Sequence, residues 1–303
     1  MTRVAAVDCG TNSVRLLVAD LDGVGLTDVL RRMEISRLGQ GVDATGRIAP
    51  QALDRTGAVL RGYAEAIGRL GAERVRVVAT SATRDAANRS EFTALVHGLL
   101  GVRPEVISGE EEARLSFTGA VRGLPDAEPP YLVCDIGGGS TELVLGVTGA
   151  QAAYSMDVGC VRLTERHLRA DPPTPAQVAA AEVDVRAALA QARAHVPVQR
   201  AATFVGVAGS VTTVAALALG LTEYDSTRTH HSRLSAARVA EVTADLLAAT
   251  HAERAARAVI HPGRVDVIGA GALILRTLMT ELAVPTVVVS EHDILDGLAF
   301  SLA

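Results

Sequence analysis

The sequence predicts an α/β protein built from two similar lobes with a central cleft between them. Short apolar strands alternate with helices along the chain, a pattern typical of mixed sheets covered by helices. A unit of apolar strand, terminal aspartate, glycine-containing turn and second strand occurs twice, around Asp8 and around Asp135. A proline-rich stretch at residues 123–130 separates the two copies. We therefore place the lobes at residues 1–125 and 126–303.

The first lobe begins with three strands and continues with alternating helices and strands. A helix is expected between Pro50 and Gly71, because proline favours the first helical turn and glycine ends helices. The strands are expected at residues 4–8, 14–19, 26–35, 75–79 and 105–107, with further helices ending near residue 100 and beginning near residue 110.

The second lobe repeats the opening strands. Thr174 and Gln177, with Pro175 between them, form a capping-box pattern that begins a long helix. Strands are expected at residues 131–135, 143–145, 152–156, 205–208 and 287–289, and helices from residues 209, 265 and 293. The uncharged run 201–222 is long enough to cross a bilayer, which takes about 20 residues. Its glycines and hydroxyl residues divide it into strand, turn and helix, so no membrane segment is predicted.

Composition excludes several classes of function. The net charge of −5 and the aromatic content of 3% disfavour nucleic-acid binding, which uses basic surfaces and stacking rings. All 29 basic residues are arginine, so neither a P-loop lysine nor Schiff-base chemistry is available. Arginine instead offers bidentate donors that suit phosphate oxygens. The cysteines Cys9, Cys134 and Cys160 have no metal-binding spacing, and we expect buried, reduced thiols in a cytoplasmic protein.

The stretch from Asp135 to Glu142 has the composition of an anion-binding turn. Its glycines let successive backbone amides approach a phosphate, and its hydroxyl groups add donors. The glycines of the turn are Gly137, Gly138 and Gly139, and its hydroxyl residues are Ser140 and Thr141. The flanking carboxylates would repel a phosphate unless a divalent cation such as Mg²⁺ lies between them. A plain hairpin turn is the alternative, and the second copy at residues 8–13 favours phosphate binding.

Two weaker signals accompany these turns. Gly209 and Ser210 stand at a predicted helix start, where free amides can bind an anion, although such residues also serve as simple caps. The acidic run 110–112 opens another helix, where acids ordinarily complement the helix dipole. One of these carboxylates could instead act as a general base for an attacking water.

Together these motifs resemble the exopolyphosphatase/guanosine pentaphosphate phosphatase (Ppx/GppA) family, in its short form. The similar segments lie in the family's order along nearly the whole chain, at residues 8–16, 37–43, 79–88, 107–115, 135–142, 161–165 and 266–272. The resemblance implies the two-lobed, duplicated fold of actin, Hsp70 chaperones and sugar kinases (ribonuclease H-like). It also implies a last helix that packs back on the first lobe. Cys9 departs from the aliphatic residue usual in the family, and residues 290–297 depart from its common closing motif.

The resemblance also assigns roles to individual residues. Glu112 takes the position of the catalytic base, and Asp8, Asp135 and Glu142 take those of the metal- and water-orienting carboxylates. The phosphate-binding positions comprise Gly10, Thr11, Asn12, Ser13, Arg15 and Arg84 as well as the second turn. For each arginine the alternative is a surface ion pair.

The function implied is a metal-dependent exopolyphosphatase, using Mg²⁺ or Mn²⁺, that releases terminal orthophosphate from inorganic polyphosphate. Three alternatives remain open at this point: a guanosine pentaphosphate 5′-phosphohydrolase, an ATP-dependent sugar kinase of the same fold, and a weakly catalytic polyphosphate- or nucleotide-binding regulator. The expected state is a cytoplasmic homodimer that binds neither nucleic acid nor membranes.

Overall fold

The computed structural model describes residues 1–22, 25–124 and 126–303. It divides into two units, the first formed by Met1–Gly119 with Ile294–Ala303 and the second by Ala120–Asp293. The predicted α/β class is confirmed, because each unit has a mixed sheet with helices packed on it. The predicted boundary between the lobes falls at residue 125, which lies outside the described residues.

The first unit contains a five-stranded sheet in the order β3-β2-β1-β4-β5. Its strands are β1 (Thr2–Cys9), β2 (Ser13–Leu21), β3 (Leu26–Ile35), β4 (Arg74–Ala79) and β5 (Glu105–Val106). The helices are α1 (Val42–Thr45), α2 (Pro50–Leu70), α3 (Ser81–Asp85), α4 (Arg89–Leu100) and α5 (Gly109–Val121). The first three strands are antiparallel, whereas β4 is parallel to both β1 and β5.

The second unit repeats this arrangement and adds an edge strand. Its strands are β6 (Tyr131–Ile136), β7 (Thr141–Gly146), β8 (Ala150–Met156), β9 (Thr203–Val207), β10 (Arg233–Ser235) and β11 (Thr286–Val289). The helices are α6 (Cys160–Arg166), α7 (Pro175–His195), α8 (Ala208–Ala218), α9 (Ser226–Thr229), α10 (Ala236–Ala248), α11 (His251–Ala255) and α12 (Ile268–Glu281). The order β8-β7-β6-β9-β11 matches that of the first sheet, so the predicted duplication is visible in the topology.

Both faces of the central strand β1 are buried. Ala5 and Val7 of β1 pack in the cluster that includes α2 and α4. Val4 and Ala6 point to the other face, into the cluster with the C-terminal helix α13 (Ile294–Phe300). This alternation follows from the two-residue period of a strand.

Helix α13 is anchored in the first unit by close packing and by an ion pair. A Cβ at Gly297 would lie 2.7 Å from the Leu115 carbonyl carbon, so only glycine lets α13 approach α5 this closely. Asp296, with 1% of its surface exposed, accepts hydrogen bonds from Arg31 of β3 at 2.5 and 3.2 Å.

Local end signals were the most accurate part of the sequence interpretation. Thr174 and Gln177 form the reciprocal capping box of α7, and Gly71 ends α2 with a φ of 68°. The helix expected from residue 265 begins at Ile268, after a 3₁₀ turn at Pro262–Arg264. Helices α6 and α10 were not assigned from the sequence. No helix of the described residues has the length and apolarity needed to cross a membrane.

Candidate active site

Three of the site residues predicted in the first unit lie where its parallel strands end. Asp8 is near the end of β1, Arg84 follows β4 on α3, and Glu112 follows β5 in the first turn of α5. The carboxyl ends of parallel strands meet at one edge of a sheet, the usual place for ligand sites in α/β proteins. The fold therefore groups side chains that are about a hundred residues apart in the chain.

The turn at residues 10–13 is held by its carbonyl groups. The Gly10 amide donates to the Ser13 carbonyl at 3.0 Å, which closes the turn. The Asn12 carbonyl accepts from Ser36 and Arg37, and the Thr11 carbonyl accepts from Gly39. Because the C=O and N–H of a trans peptide point in opposite directions, the amides of Asn12 and Ser13 face away from this supporting segment.

Two predicted site residues of the first unit pair with each other. Arg15 stands directly opposite Asp8 in the β1–β2 hairpin. Its Nε and Nη2 donate to the same Asp8 oxygen at 3.0 and 2.7 Å. The metal-binding role of Asp8 and the phosphate-binding role of Arg15 stay predictions. The Thr11 hydroxyl is likewise engaged, 2.8 Å from the Ser81 hydroxyl.

Glu112 and Arg84 form an ion pair that is largely buried. Arg84 Nη1 donates to Glu112 Oε2 at 3.2 Å and to the Ile107 carbonyl at 3.0 Å. The Glu112 side chain is 11% exposed and the Arg84 side chain is 25% exposed. By contrast, the neighbouring Glu110 is 64% exposed and pairs with Arg114 on the helix surface.

In the second unit, helix α6 holds the glycine turn. The turn is closed by the Gly137 amide and the Ser140 carbonyl at 3.0 Å, as in the first unit. The carbonyls of Gly137 and Gly138 accept from the first amides of α6, and the Gly139 carbonyl accepts from Arg162 Nε at 2.7 Å. All three carbonyls therefore point toward α6.

This anchoring directs three amides the other way. The N–H groups of Gly138, Gly139 and Ser140 belong to the same peptides as those carbonyls and point in the opposite direction. Within the described part of the chain, none of these amides donates a hydrogen bond. Consecutive amides of this kind form an anion-binding concavity. The predicted phosphate-binding residue Thr141 has a fully buried hydroxyl that donates to the Val158 carbonyl at 2.6 Å.

A pair of buried carboxylates stands beside the glycine turn. Asp135 lies directly opposite Glu142 in the β6–β7 hairpin, so both side chains are on one face of the sheet. They are 6% and 1% exposed, and Ser155 donates to Glu142 Oε1 at 2.6 Å. Like charges in this position are destabilising. The equivalent pair in the first unit is Asp8 with Arg15, so the two hairpins differ in the side chains that stand opposite each other.

The start of α8 is covered by an arginine that the sequence interpretation missed. A Cβ at Gly209 would overlap the Arg264 guanidinium, which therefore lies on the first turn of this helix. The Ser210 hydroxyl lies against Gly271 and lowers the pKa of the Cys160 thiol, an effect smaller than the increase caused by burial. Cys160 in turn donates its amide to Gly137. The second unit thus joins Gly209 and Ser210 to the glycine turn, with Arg264 as an additional positive charge.

The three cysteines are buried and free. Burial raises the pKa of each thiol, and the carboxylates of Asp135 and Glu142 raise the pKa of Cys134 further. These thiols are therefore neutral, as expected of small apolar core residues.

The carboxylates of the second unit fit the expected divalent cation. Asp135 and Glu142 supply two oxygen-donor side chains on one face, and a cation would relieve their repulsion. Among the described residues no three His, Cys, Asp or Glu side chains are grouped closely enough to hold a metal alone. Mg²⁺ commonly binds one or two carboxylates and completes its shell with water and substrate phosphates.

Comparison with known protein families identifies the family of this chain. The model of the Ppx/GppA phosphatase family matches residues 17–303. The chain belongs to this family. The predicted family is thus confirmed, together with the prediction that the protein is an enzyme.

Curated and solved Ppx/GppA proteins are similar over nearly the whole chain. Exopolyphosphatase 2 of Mycobacterium tuberculosis is 52% identical over 317 aligned residues, covering 100% of this chain and 99% of that protein. A bifunctional 3-dehydroquinate synthase/phosphatase of Fusobacterium nucleatum is 30% identical, with 97% of this chain aligned to 45% of that protein.

Among solved structures, an exopolyphosphatase-like protein has a TM-score of 0.96 and 44% identity, covering 99% of this chain and 98% of that one. The Aquifex aeolicus Ppx/GppA family member has a TM-score of 0.81 and 31% identity, covering 99% and 97%.

Proposed function

We propose that the protein is an exopolyphosphatase that releases terminal orthophosphate from inorganic polyphosphate by attack of water. The observation that carries the proposal is the turn in which the amides of Gly138, Gly139 and Ser140 point the same way beside two buried carboxylates. The 52% identity to Exopolyphosphatase 2 of Mycobacterium tuberculosis supports the choice of substrate.

The glycine turn binds the terminal phosphate in this proposal. Its three amides donate to the phosphoryl oxygens and stabilise the charge that these oxygens carry in the transition state. Arg264, on the first turn of α8, adds a positive charge from the same unit. Because α6 holds the turn by its carbonyls, the amides keep their direction without reorganisation during the reaction.

Glu112 draws the proton from the attacking water, and Arg84 positions it. The Arg84 guanidinium bridges the Glu112 carboxylate and the Ile107 carbonyl, which fixes the side chain on the first turn of α5. A general base of this kind contributes about 10²–10⁴-fold to the rate.

Asp135 and Glu142 would hold Mg²⁺ (or Mn²⁺) on the face of the second sheet. The bound ion would neutralise phosphoryl oxygens during displacement. Without it, two ionised carboxylates beside the turn would repel the substrate. We also propose, from the family resemblance, that the protein acts as a homodimer in the cytoplasm.

Glu112→Gln tests the proposal, with Glu110→Gln as a matched control on the same helix turn. We expect the first change to lower kcat by about 10²–10⁴-fold with little change in polyphosphate binding. The exposed Glu110 should tolerate the same change. Phosphate release from polyphosphates of defined length, with and without Mg²⁺, measures both. Undiminished turnover in Glu112→Gln would remove Glu112 from the mechanism.

Hydrolysis of guanosine pentaphosphate is a second candidate, favoured by the description of the matched family, which covers both Ppx and GppA phosphatases. The same turn would bind the 5′-terminal phosphate of that nucleotide. The ratio of kcat/KM for guanosine pentaphosphate and for polyphosphate separates the two activities. Tight binding of either substrate without turnover would instead indicate a regulator.

A further inference from the structure

A cavity lies in the second unit, at the end of the sheet opposite the glycine turn. It has a volume of about 600 Å³ and is lined near the beginnings of β6, β9 and β11. The glycine turn follows the other end of β6, whose six residues span roughly 16–20 Å at about 3.3 Å per residue. The cavity is therefore separate from the residues proposed to bind phosphate.

Part of the lining of this cavity is apolar. Val198, Leu282 and Val284 line it. These side chains are partly exposed and pack against the apolar core of the second unit. A volume of this size is in the range of about 300–1,000 Å³ found for small-molecule sites.

The rim carries positive charge without a balancing carboxylate. Arg193 and Arg233 both line the cavity, and no aspartate or glutamate does. Each guanidinium donates from Nη2 to one backbone carbonyl, that of Glu281 and that of Asp126 respectively. In the described chain neither arginine forms an ion pair. Planar guanidinium groups with donors to spare are suited to carboxylate, sulfonate or phosphate oxygens.

We propose that this cavity binds a small organic anion: a molecule with an aromatic or branched apolar body and one acidic group. The apolar body would contact Val198, Leu282 and Val284, and the acidic group would pair with Arg193 or Arg233 at the rim. This site is independent of the proposed phosphatase activity, since it shares no residue with the glycine turn or with Glu112.

The probe for the test is 8-anilinonaphthalene-1-sulfonate, with the neutral N-phenyl-1-naphthylamine as its analogue without the sulfonate. The chain has no tryptophan, so the fluorescence of bound probe is read against a low background. The variant is R193Q/R233Q, in which glutamine removes the charge but keeps a donor for the backbone carbonyl. Arg200→Gln is the control, because Arg200 is an exposed arginine of the neighbouring turn that does not line the cavity.

We expect the sulfonate probe to bind the double variant at least about tenfold more weakly, the effect of losing one charge-assisted hydrogen bond. Arg200→Gln should bind it normally, the neutral probe should not discriminate, and all proteins should keep their Tm and phosphatase activity. Equal affinity in R193Q/R233Q, or an equal loss in Arg200→Gln, would overturn the proposal. Because binding is measured without phosphatase substrate, this result does not depend on the proposed activity.

Discussion

Gly159→Ala should inactivate the glycine turn without touching a side chain of the site. Gly159 precedes α6 with φ −149° and ψ 166°, an extended conformation that alanine adopts freely. The obstacle is purely steric. An added Cβ would lie 2.5 Å from the Gly138 carbonyl carbon and 2.6 Å from the Gly139 nitrogen, and both are backbone atoms that cannot rotate away.

The magnitude follows from the displacement that the new methyl group requires. Ordinary contact with a Cβ begins at 3.4 Å, so the turn or α6 must move by about 1 Å. A misplacement of this size costs about 10²-fold in rate when it affects groups that position the substrate. We therefore expect kcat/KM for polyphosphate to fall about a hundredfold, measured by phosphate release.

Gly149→Ala is the matched control, since a Cβ at Gly149 meets no atom within 4 Å. It should keep the activity of the unchanged protein. Thermal melting of each variant shows whether the second unit remains folded. A folded Gly159→Ala enzyme with activity within about threefold of the original would refute the argument that α6 sets the direction of the turn amides.

Two further predictions concern stability. Asp296→Ala removes the buried partner of Arg31 on β3 and should lower the free energy of unfolding by about 3 kcal/mol. Asp28→Ala removes the exposed partner of the same arginine and should change the free energy of unfolding by less than about 0.5 kcal/mol. Urea unfolding measures both variants, and equal effects would contradict the argument. Burial raises the pKa of Glu291, although two hydroxyl groups donate to its carboxylate. The folded state therefore favours the protonated carboxyl group. The stability that this group contributes is present below the unfolded pKa and is lost as the pH rises through the folded pKa. Glutamine at position 291 cannot ionise, so the Tm of Glu291→Gln minus the Tm of the unchanged protein should increase between about pH 4.5 and pH 7. A Tm difference that stays constant over this range would show that Glu291 ionises as easily in the folded protein as in the unfolded chain.

Local signals in the sequence were sufficient to predict the repeated strand–turn–strand unit and the ends of the longest helices. These features depend on neighbouring residues: glycines that admit a tight turn, a proline at the start of α2, and the Thr174–Gln177 capping box. These local patterns can be recognised in the sequence without knowledge of the rest of the fold. The pairing of Asp135 with Glu142 was also within reach, because a short hairpin fixes its own register.

The contacts of these side chains depend on packing between elements that are distant in the sequence. Arg15 neutralises Asp8 in one hairpin, while its counterpart Glu142 adds a second carboxylate in the other. Arg264 covers the start of α8 from more than fifty residues away. The direction of the glycine-turn amides depends on α6, a helix that the sequence interpretation did not assign. Such contacts join residues distant in the chain, and they are set by how elements pack against each other rather than by local preference.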